Sequence, residues 1–143
     1  MENVNPTTDK LKSNFKDSKY ATGRRKTSIA KVWLKKGTGK IFVNGKNFEN
    51  YFTRSTHKMQ IMRPFEIINQ ATDYDVRCSV RGGGPTGQAG AMVHGISKAL
   101  VLFDENLKAT LKTEKLTTRD SRAVERKKPG RRKARRSFQF SKR

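Results

Sequence analysis

Residues 117–143 hold twelve basic residues: Arg119, Arg122, Arg126, Lys127, Lys128, Arg131, Arg132, Lys133, Arg135, Arg136, Lys142 and Arg143. Against them stand only Asp120 and Glu125, and the large apolar residues are limited to Val124, Phe138 and Phe140. Pro129-Gly130 breaks the middle of the segment. Such a tail cannot bury enough surface to offset backbone ordering at about 1–2 kcal/mol per residue, so alone it is expected to be disordered. On a polyanion it orders, because each cation that neutralises a phosphate releases counterions. Arg suits that task through its planar fork, which pairs with phosphate bidentately and stacks on bases. Phe138 and Phe140 project to one side of an extended chain and are placed to wedge against bases or ribose. Asp120 and Glu125, set amid cations, are expected to brace neighbouring Arg side chains rather than to act catalytically.

The rest of the chain shares the bias. Over 143 residues, 33 Lys and Arg face 12 Asp and Glu, a net charge of +21, of which the tail supplies +10. Apolar residues make up 33%, below the roughly 45–50% of ordinary soluble domains. The length fits one domain with tails, and part of it must be ordered by a polyanion. Acidic lipid is the other candidate, but no apolar run approaches the ~18 residues of a membrane-spanning helix. The single cysteine, Cys78, excludes an intramolecular disulfide and a cysteine-cluster metal site, and is compatible with a reducing compartment. Met1 to Lys19 is polar, nearly charge-balanced and free of signal or transit features. It reads as a flexible extension, with synthesis in the working compartment or prior removal of a presequence both open. The expected organisation is an extension at 1–19, a folded α/β domain at 20–116 and a basic tail at 117–143.

Within the middle, Ser28 to Lys35 reads as a strand, Gly37-Thr38-Gly39 as a turn and Lys40 to Val43 as a second strand, so the two are expected to form a hairpin. Asn44-Gly45 marks another tight turn. Residues 55–70 carry Met59, Met62, Ile67 and Ile68 at mixed helical spacing, and Pro64 is expected to interrupt a single helix. Tyr74 to Arg81 alternates, with Val76, Cys78 and Val80 on one face. That places Cys78 in the core as a small hydrophobe rather than a nucleophile. Thr86 to Phe103 predicts a helix, since Ala89, Met92, Val93, Ile96, Leu100 and Phe103 recur at steps of three and four. Its Gly87, Gly90 and Gly95 each cost about 1 kcal/mol relative to Ala and point to close approach by a strand or an external backbone. His94 has no partner at ligand spacing and reads as solvated or hydrogen-bonded. Leu107 to Leu116 predicts a last, shorter helix.

Arg81 to Gly90 joins a strand to a helix, where free amides and the helix dipole favour an anion. A nucleotide-binding P-loop laid on Gly82 to Ala89 fails at both chemical positions, because Gln88 replaces the Lys and Ala89 the hydroxyl residue. A nucleic-acid backbone needs only amides, close approach and cations, all available beside Arg81; a tight turn without a ligand remains the alternative. Gly84-Pro85-Thr86-Gly87 also fits the short loop of KH domains, but the order of elements around it does not. Tyr20 to Thr27 contains Arg24, Arg25 and Lys26 and reads as a cationic run just before the first strand.

Taken in order, Tyr20-Ala-Thr-Gly-Arg-Arg-Lys-Thr27, Gly39-Lys-Ile-Phe-Val-Asn-Gly45, Arg81-Gly-Gly-Gly-Pro-Thr-Gly-Gln-Ala-Gly-Ala91 and His94-Gly-Ile-Ser-Lys-Ala-Leu100 resemble the family of small-subunit ribosomal protein nine. Thr118-Arg-Asp-Ser-Arg122, Val124-Glu-Arg-Lys-Lys128 and the ending Gln139-Phe-Ser-Lys-Arg143 extend the resemblance over Tyr20 to Arg143. The Ser141-Lys142-Arg143 ending is that of the bacterial form. Tyr20-Ala-Thr-Gly and Val32-Trp33-Leu34 resemble alphaproteobacterial and mitochondrially encoded members. The resemblance implies a two-layer α/β (α+β) domain like the second domain of ribosomal protein S-five, with a left-handed βαβ crossover against the usual rule. It implies a place in the subunit head, on the 3′ major domain of the small-subunit rRNA and beside neighbouring ribosomal proteins. By motif, Arg24, Arg25, Lys26 and the loop residues Arg81, Gly83, Gly84, Gly87 and Gln88 fall on rRNA-facing positions. Ser141, Lys142 and Arg143 fall where the family's tail approaches P-site tRNA. Val93 departs from the family pattern, which commonly has a basic residue there, and Pro129 replaces a common aromatic. No enzymatic role, small-molecule substrate or cofactor is implied, and Mg²⁺ enters only with the rRNA. Lys-, Asn- and Phe-rich usage favours a mitochondrial matrix over a bacterial cytoplasm. A free DNA-binding protein and an enzyme using the glycine loop are the rival readings.

Overall fold

The computed structural model describes residues 15, 17–70 and 73–142. Most of the N-terminal extension and the terminal Arg143 therefore lie outside the described residues. The described chain forms β1 (Lys19–Arg25), β2 (Ser28–Lys36), β3 (Ile41–Val43), β4 (Lys46–Asn47), α1 (Phe48–Tyr51), α2 (Ser55–Ile67), β5 (Tyr74–Arg81), α3 (Pro85–Phe103) and α4 (Leu107–Thr113). The strands build one five-stranded mixed sheet in the order β1-β2-β5-β3-β4. The fold is thus the expected α/β class, and β3 runs parallel to β5 through a crossover that contains α1 and α2.

Alternation decides which face of the sheet is covered. Ala30 pairs with Val80, Val32 with Cys78 and Leu34 with Val76, and all six are buried. Ile41 and Val43 of β3 extend this face. Helix α3 lies across β1 and β2 with α2 beside it, contributing Met92, Ile96 and Leu100 from one and Ile61 and Phe65 from the other. Cys78 is buried as expected, and burial pushes its thiol pKa far up, which disarms it as a nucleophile.

Several sequence expectations are corrected. The run Tyr20 to Thr27 does not precede the first strand; most of it is that strand, paired antiparallel to β2 from Lys19↔Leu34 to Arg25↔Ser28. Its alternation is hidden because one inward position is Gly23, which has no side chain to register as apolar. Nor do Ser28–Lys36 and Ile41–Val43 form a hairpin with each other. β5 inserts between them, antiparallel to β2 and parallel to β3, while β3 makes its hairpin with β4 through Asn44 (φ 49°) and Gly45 (φ 82°). Asp75 fastens this crossing, its carboxylate accepting from the Thr38 (2.8 Å) and Lys40 (3.0 Å) amides. It bends the Gly37–Gly39 turn around the end of β5. Pro64, finally, lies inside an unbroken α2. Its missing N–H costs one helix bond, offset because the ring is buried on the inner face with His57, Ile61 and Phe65. Of the apolar residues at mixed helical spacing, Met59 is 69% exposed. The last helix also stops early, at Thr113 rather than Leu116: Lys115 turns left-handed (φ 57°) and the Leu116 amide reaches back to the Leu111 carbonyl, closing the helix end.

The tightest point of the fold is the crossing of β1 and α3. A Cβ on Gly23 would collide with the Ala91 carbonyl and the Gly95 backbone, and one on Gly95 would lie 2.7 Å from Val32 Cγ2. The two backbones touch, and neither position has room for a methyl group.

Two predictions follow from this packing. Gly23→Ala is expected to destabilise the full chain by about 2–3 kcal/mol through overpacking. At Gly84, whose Cβ would meet nothing within 4 Å, the gain in unfolded-state restriction opposes the weaker helix cap, so Gly84→Ala stays within about 0.5 kcal/mol. Urea midpoints of both variants measure this, and equal losses would contradict the crossing. Partial burial works to raise the Asp75 pKa, but hydrogen bonds from Lys40 and Thr38, with the Lys35 charge, hold it below its ordinary value. Its contribution to stability is therefore complete above the ordinary carboxylate range and is lost as pH falls below about 4. Asp75→Asn, which keeps an acceptor oxygen, should show a shallower acid loss of stability in pH-dependent urea titrations; an unchanged profile would contradict that role.

Candidate nucleic-acid interface

The cationic elements that are far apart in sequence converge at one end of the domain. Arg24 and Arg25 end β1, Lys26 occupies the β1–β2 turn with φ 52°, and Arg81 ends β5 in register with Ile29 of β2. The glycine loop follows β5 and is fastened to that turn by Ser28, whose hydroxyl donates to the Gly82 carbonyl at 3.0 Å.

Two of the loop's glycines answer to Ser28 rather than to open space. A Cβ at Gly83 would collide with the Ser28 hydroxyl, and one at Gly87 would sit 2.7 Å from it. Gly83 also has φ +62°, where a side chain is strained. Gln88 is engaged at both ends of its amide: Nε2 donates to the Gly82 carbonyl (3.2 Å) and Oε1 accepts from Tyr51 Oη (2.9 Å). Gly84, the helix cap, alone fronts space within contact range. Of the loop residues chosen from sequence, Arg81, Gly83 and Gly84 are exposed, while the buried Gly87 and the engaged Gln88 build the loop that presents them.

Arg25 is the junction between domain and tail. Its side chain lies over Gly90, where a Cβ would collide with its Cδ, and its guanidinium stands 3.6 Å from Asp120. Its Nε is buried without a hydrogen-bond partner. Asp120 also binds Arg122 through both carboxylate oxygens, at 3.0 and 2.7 Å. Hydrogen bonds from the Arg122 side chain and backbone, reinforced by the Arg122 and Arg25 charges, hold the Asp120 pKa far below its ordinary range. His94 adds a second fastening. Its Nδ1 accepts from the Arg24 amide (3.2 Å), and the ring is hydrogen-bonded to the Thr117 backbone. Burial, helped by Lys98 and Arg119, lowers its pKa and so favours the neutral ring this acceptor role requires. A cavity of about 200 Å³ lies here, lined by Arg24, Arg25, Arg63, His94, Lys115 and Asp120, with Val93 in its wall.

Sequence reasoning missed Arg63, Lys115 and the clasp role of His94. Arg63 lies on α2 and Lys115 in the turn after α4, and no local pattern announces that these meet β1.

From Arg126 onward the tail is bonded to itself among the described residues. Glu125 binds Arg135 at 2.9 Å and also Lys128, bending the chain about Pro129-Gly130, where Gly130 has φ +69°. Arg132 stacks over Phe138 at 5.4 Å. Both acids therefore brace arginines, as their placement among cations suggested. Residues 121–142 are exposed apart from a half-buried Ala134, and Lys127, Lys133, Arg136 and Lys142 make no protein ion pair among the described residues. Ser141 and Lys142 are exposed at the tip. No helix among the described residues is long and apolar enough to cross a membrane.

This is the electrostatic footprint of a nucleic-acid binder: a built cationic end, an amide-bearing loop and an extended basic tail. The family model described as ribosomal protein S9/S16 matches residues 23–143, from the crossing glycine of β1 to the end of the tail. The match takes in most of the chain and every one of these elements, and the chain belongs to the ribosomal protein S9/S16 family.

Proposed function

We propose that this protein sits in the head of the small ribosomal subunit, binds small-subunit rRNA through its cationic end and tail, and reaches P-site tRNA with the tail's last residues. Family membership makes it a structural ribosomal protein of the small subunit. The finer reading rests above all on the exposed tail, whose cations outnumber its acids twelve to two. Arg24, Arg25, Lys26, Arg81, Gly83 and Gly84 would meet rRNA phosphates at the domain's end, on a loop held by Gly87 and Gln88. Arg119, Arg122, Arg126, Lys127, Lys128, Arg131, Arg132, Lys133, Arg135 and Arg136 would follow the rRNA backbone outward. Ser141, Lys142 and Arg143 would meet the tRNA, neighbouring ribosomal proteins would complete the surroundings, and Mg²⁺ would enter as an ion of the rRNA. Lys, Asn and Phe usage favours a mitochondrial ribosome over a bacterial one.

A free DNA-binding protein would share the charge but would not need a tail bent at a fixed place. An enzyme built on the glycine loop is disfavoured because Gln88 is tied to Gly82 and Tyr51.

The tail assignment predicts separable effects. Chains lacking Ser141 to Arg143 should still sediment with small subunits in a Mg²⁺-containing gradient, while those subunits bind P-site tRNA about tenfold more weakly, from the loss of two charge-assisted contacts. Filter binding of tRNA to purified subunits measures this. Undiminished tRNA affinity would remove the assignment, and failure of the intact chain to sediment with small subunits would remove the ribosomal placement with it.

A further inference from the structure

A second depression, away from the cationic end, has a different chemistry. It is a groove of about 600 Å³ between β1, the end of α3, α4 and the root of the tail. Its floor and walls include Tyr20, Val101 and Leu102. Leu102, on the helix side, is 56% exposed, and Tyr20, at the rim with its ring packed against Trp33, is 45% exposed. Its cations are Lys98, Lys108 and Lys112, with neither Arg nor a carboxylate in the lining. Lys98 is held against the wall by donating to the Thr22 carbonyl at 3.2 Å, and Lys108 and Lys112 stand one helical turn apart on α4. β1 is an edge strand, with no further strand on its outer side among the described residues.

We propose that this groove is a docking site for an extended segment of an acidic protein, its apolar side chains seated on Leu102 and Val101 with Tyr20 at the rim, and its carboxylates facing Lys108 and Lys112. The inference rests on the ribosomal reading and adds to it the chemistry of one protein partner. Three features favour protein over RNA. An apolar floor with a charged rim is the anatomy of a protein interface, and an exposed contiguous apolar patch marks such a site. The RNA-type cavity at the other end is lined by Arg24, Arg25 and Arg63, whereas this groove lacks the residue whose fork suits phosphate. An open strand edge accepts an extended peptide by main-chain pairing. A second copy of this chain, at +21, has the wrong charge. The chain's first fourteen residues have two acids against two lysines and offer no complement.

The test places a photoreactive benzophenone side chain at Leu102, and in a second chain at Tyr20, with a third at the exposed tail residue Val124 as reference. Each full-length chain is assembled into small subunits, irradiated, and the adducts are separated into protein and rRNA. The expected result is a protein adduct from both groove positions, mapped by mass spectrometry to a segment rich in Asp or Glu. Adding Lys108→Glu and Lys112→Glu should cut its yield about fivefold, as expected for reversing two exposed pairs. Adducts on rRNA, adducts on a segment without acidic residues, or no groove adduct while Val124 reacts would each overturn the proposal and leave the ribosomal placement standing. Failure of the unsubstituted chain to enter small subunits would overturn both.

Discussion

Everything at the cationic end depends on the backbone contact between Gly23 of β1 and Gly95 of α3. Because the two elements touch without side chains between them, the edges of strand and helix come within reach of each other. His94 then accepts the Arg24 amide, Arg25 lies across Gly90, and Asp120 closes on Arg25 from the tail. A helix held a side chain's width further out would separate these partners. Two glycines that helix and strand propensity both disfavour therefore fix where the tail begins and where it points.

The charge excess acquires an arrangement from the same contacts. Asp120 and Glu125 do little to neutralise twelve tail cations, but each gathers arginines at a bend: one at the root of the tail, one about Pro129-Gly130. The buried Arg25 Nε, without a hydrogen-bond partner, and Lys127, Lys133 and Lys142, without an ion pair among the described residues, leave room for an outside anion. In the proposed function, an rRNA backbone supplies the counter-charge. The apolar share of 33% fits a domain with a modest core on one face of a single sheet and counter-charges supplied from outside.

Elements defined by local period were legible in the sequence. The alternation of Tyr74 to Arg81 gave β5 and the burial of Cys78, and the three-four spacing from Ala89 to Phe103 gave α3. Long-range choices were not legible. β5 enters between β2 and β3, a pairing fastened by Asp75 on the amides of Thr38 and Lys40, more than thirty residues away. β1 hid behind Gly23, and α2 survived Pro64 because tertiary burial outweighed a lost helix bond. The candidate site was legible as a set of cations and a loop, and the family resemblance rested on the same residues. Its internal division was not: that Ser28 explains Gly83 and Gly87, and that Gln88 holds the loop, depends on contacts between β2, β5 and α3. The closing of the site by Arg63, Lys115 and His94 was equally hidden.

The central claim, that the tail's charge is addressed to rRNA, is tested most directly by the salt dependence of binding. The measurement is the affinity of the full chain and of a chain ending at Leu116 for a small-subunit rRNA head fragment, across a range of salt concentrations. If about eight tail cations meet phosphates, the log–log slope of the full chain should exceed that of the shortened one by roughly 6 to 7 in magnitude. Equal slopes, or an affinity for the full chain nearly independent of salt, would contradict it.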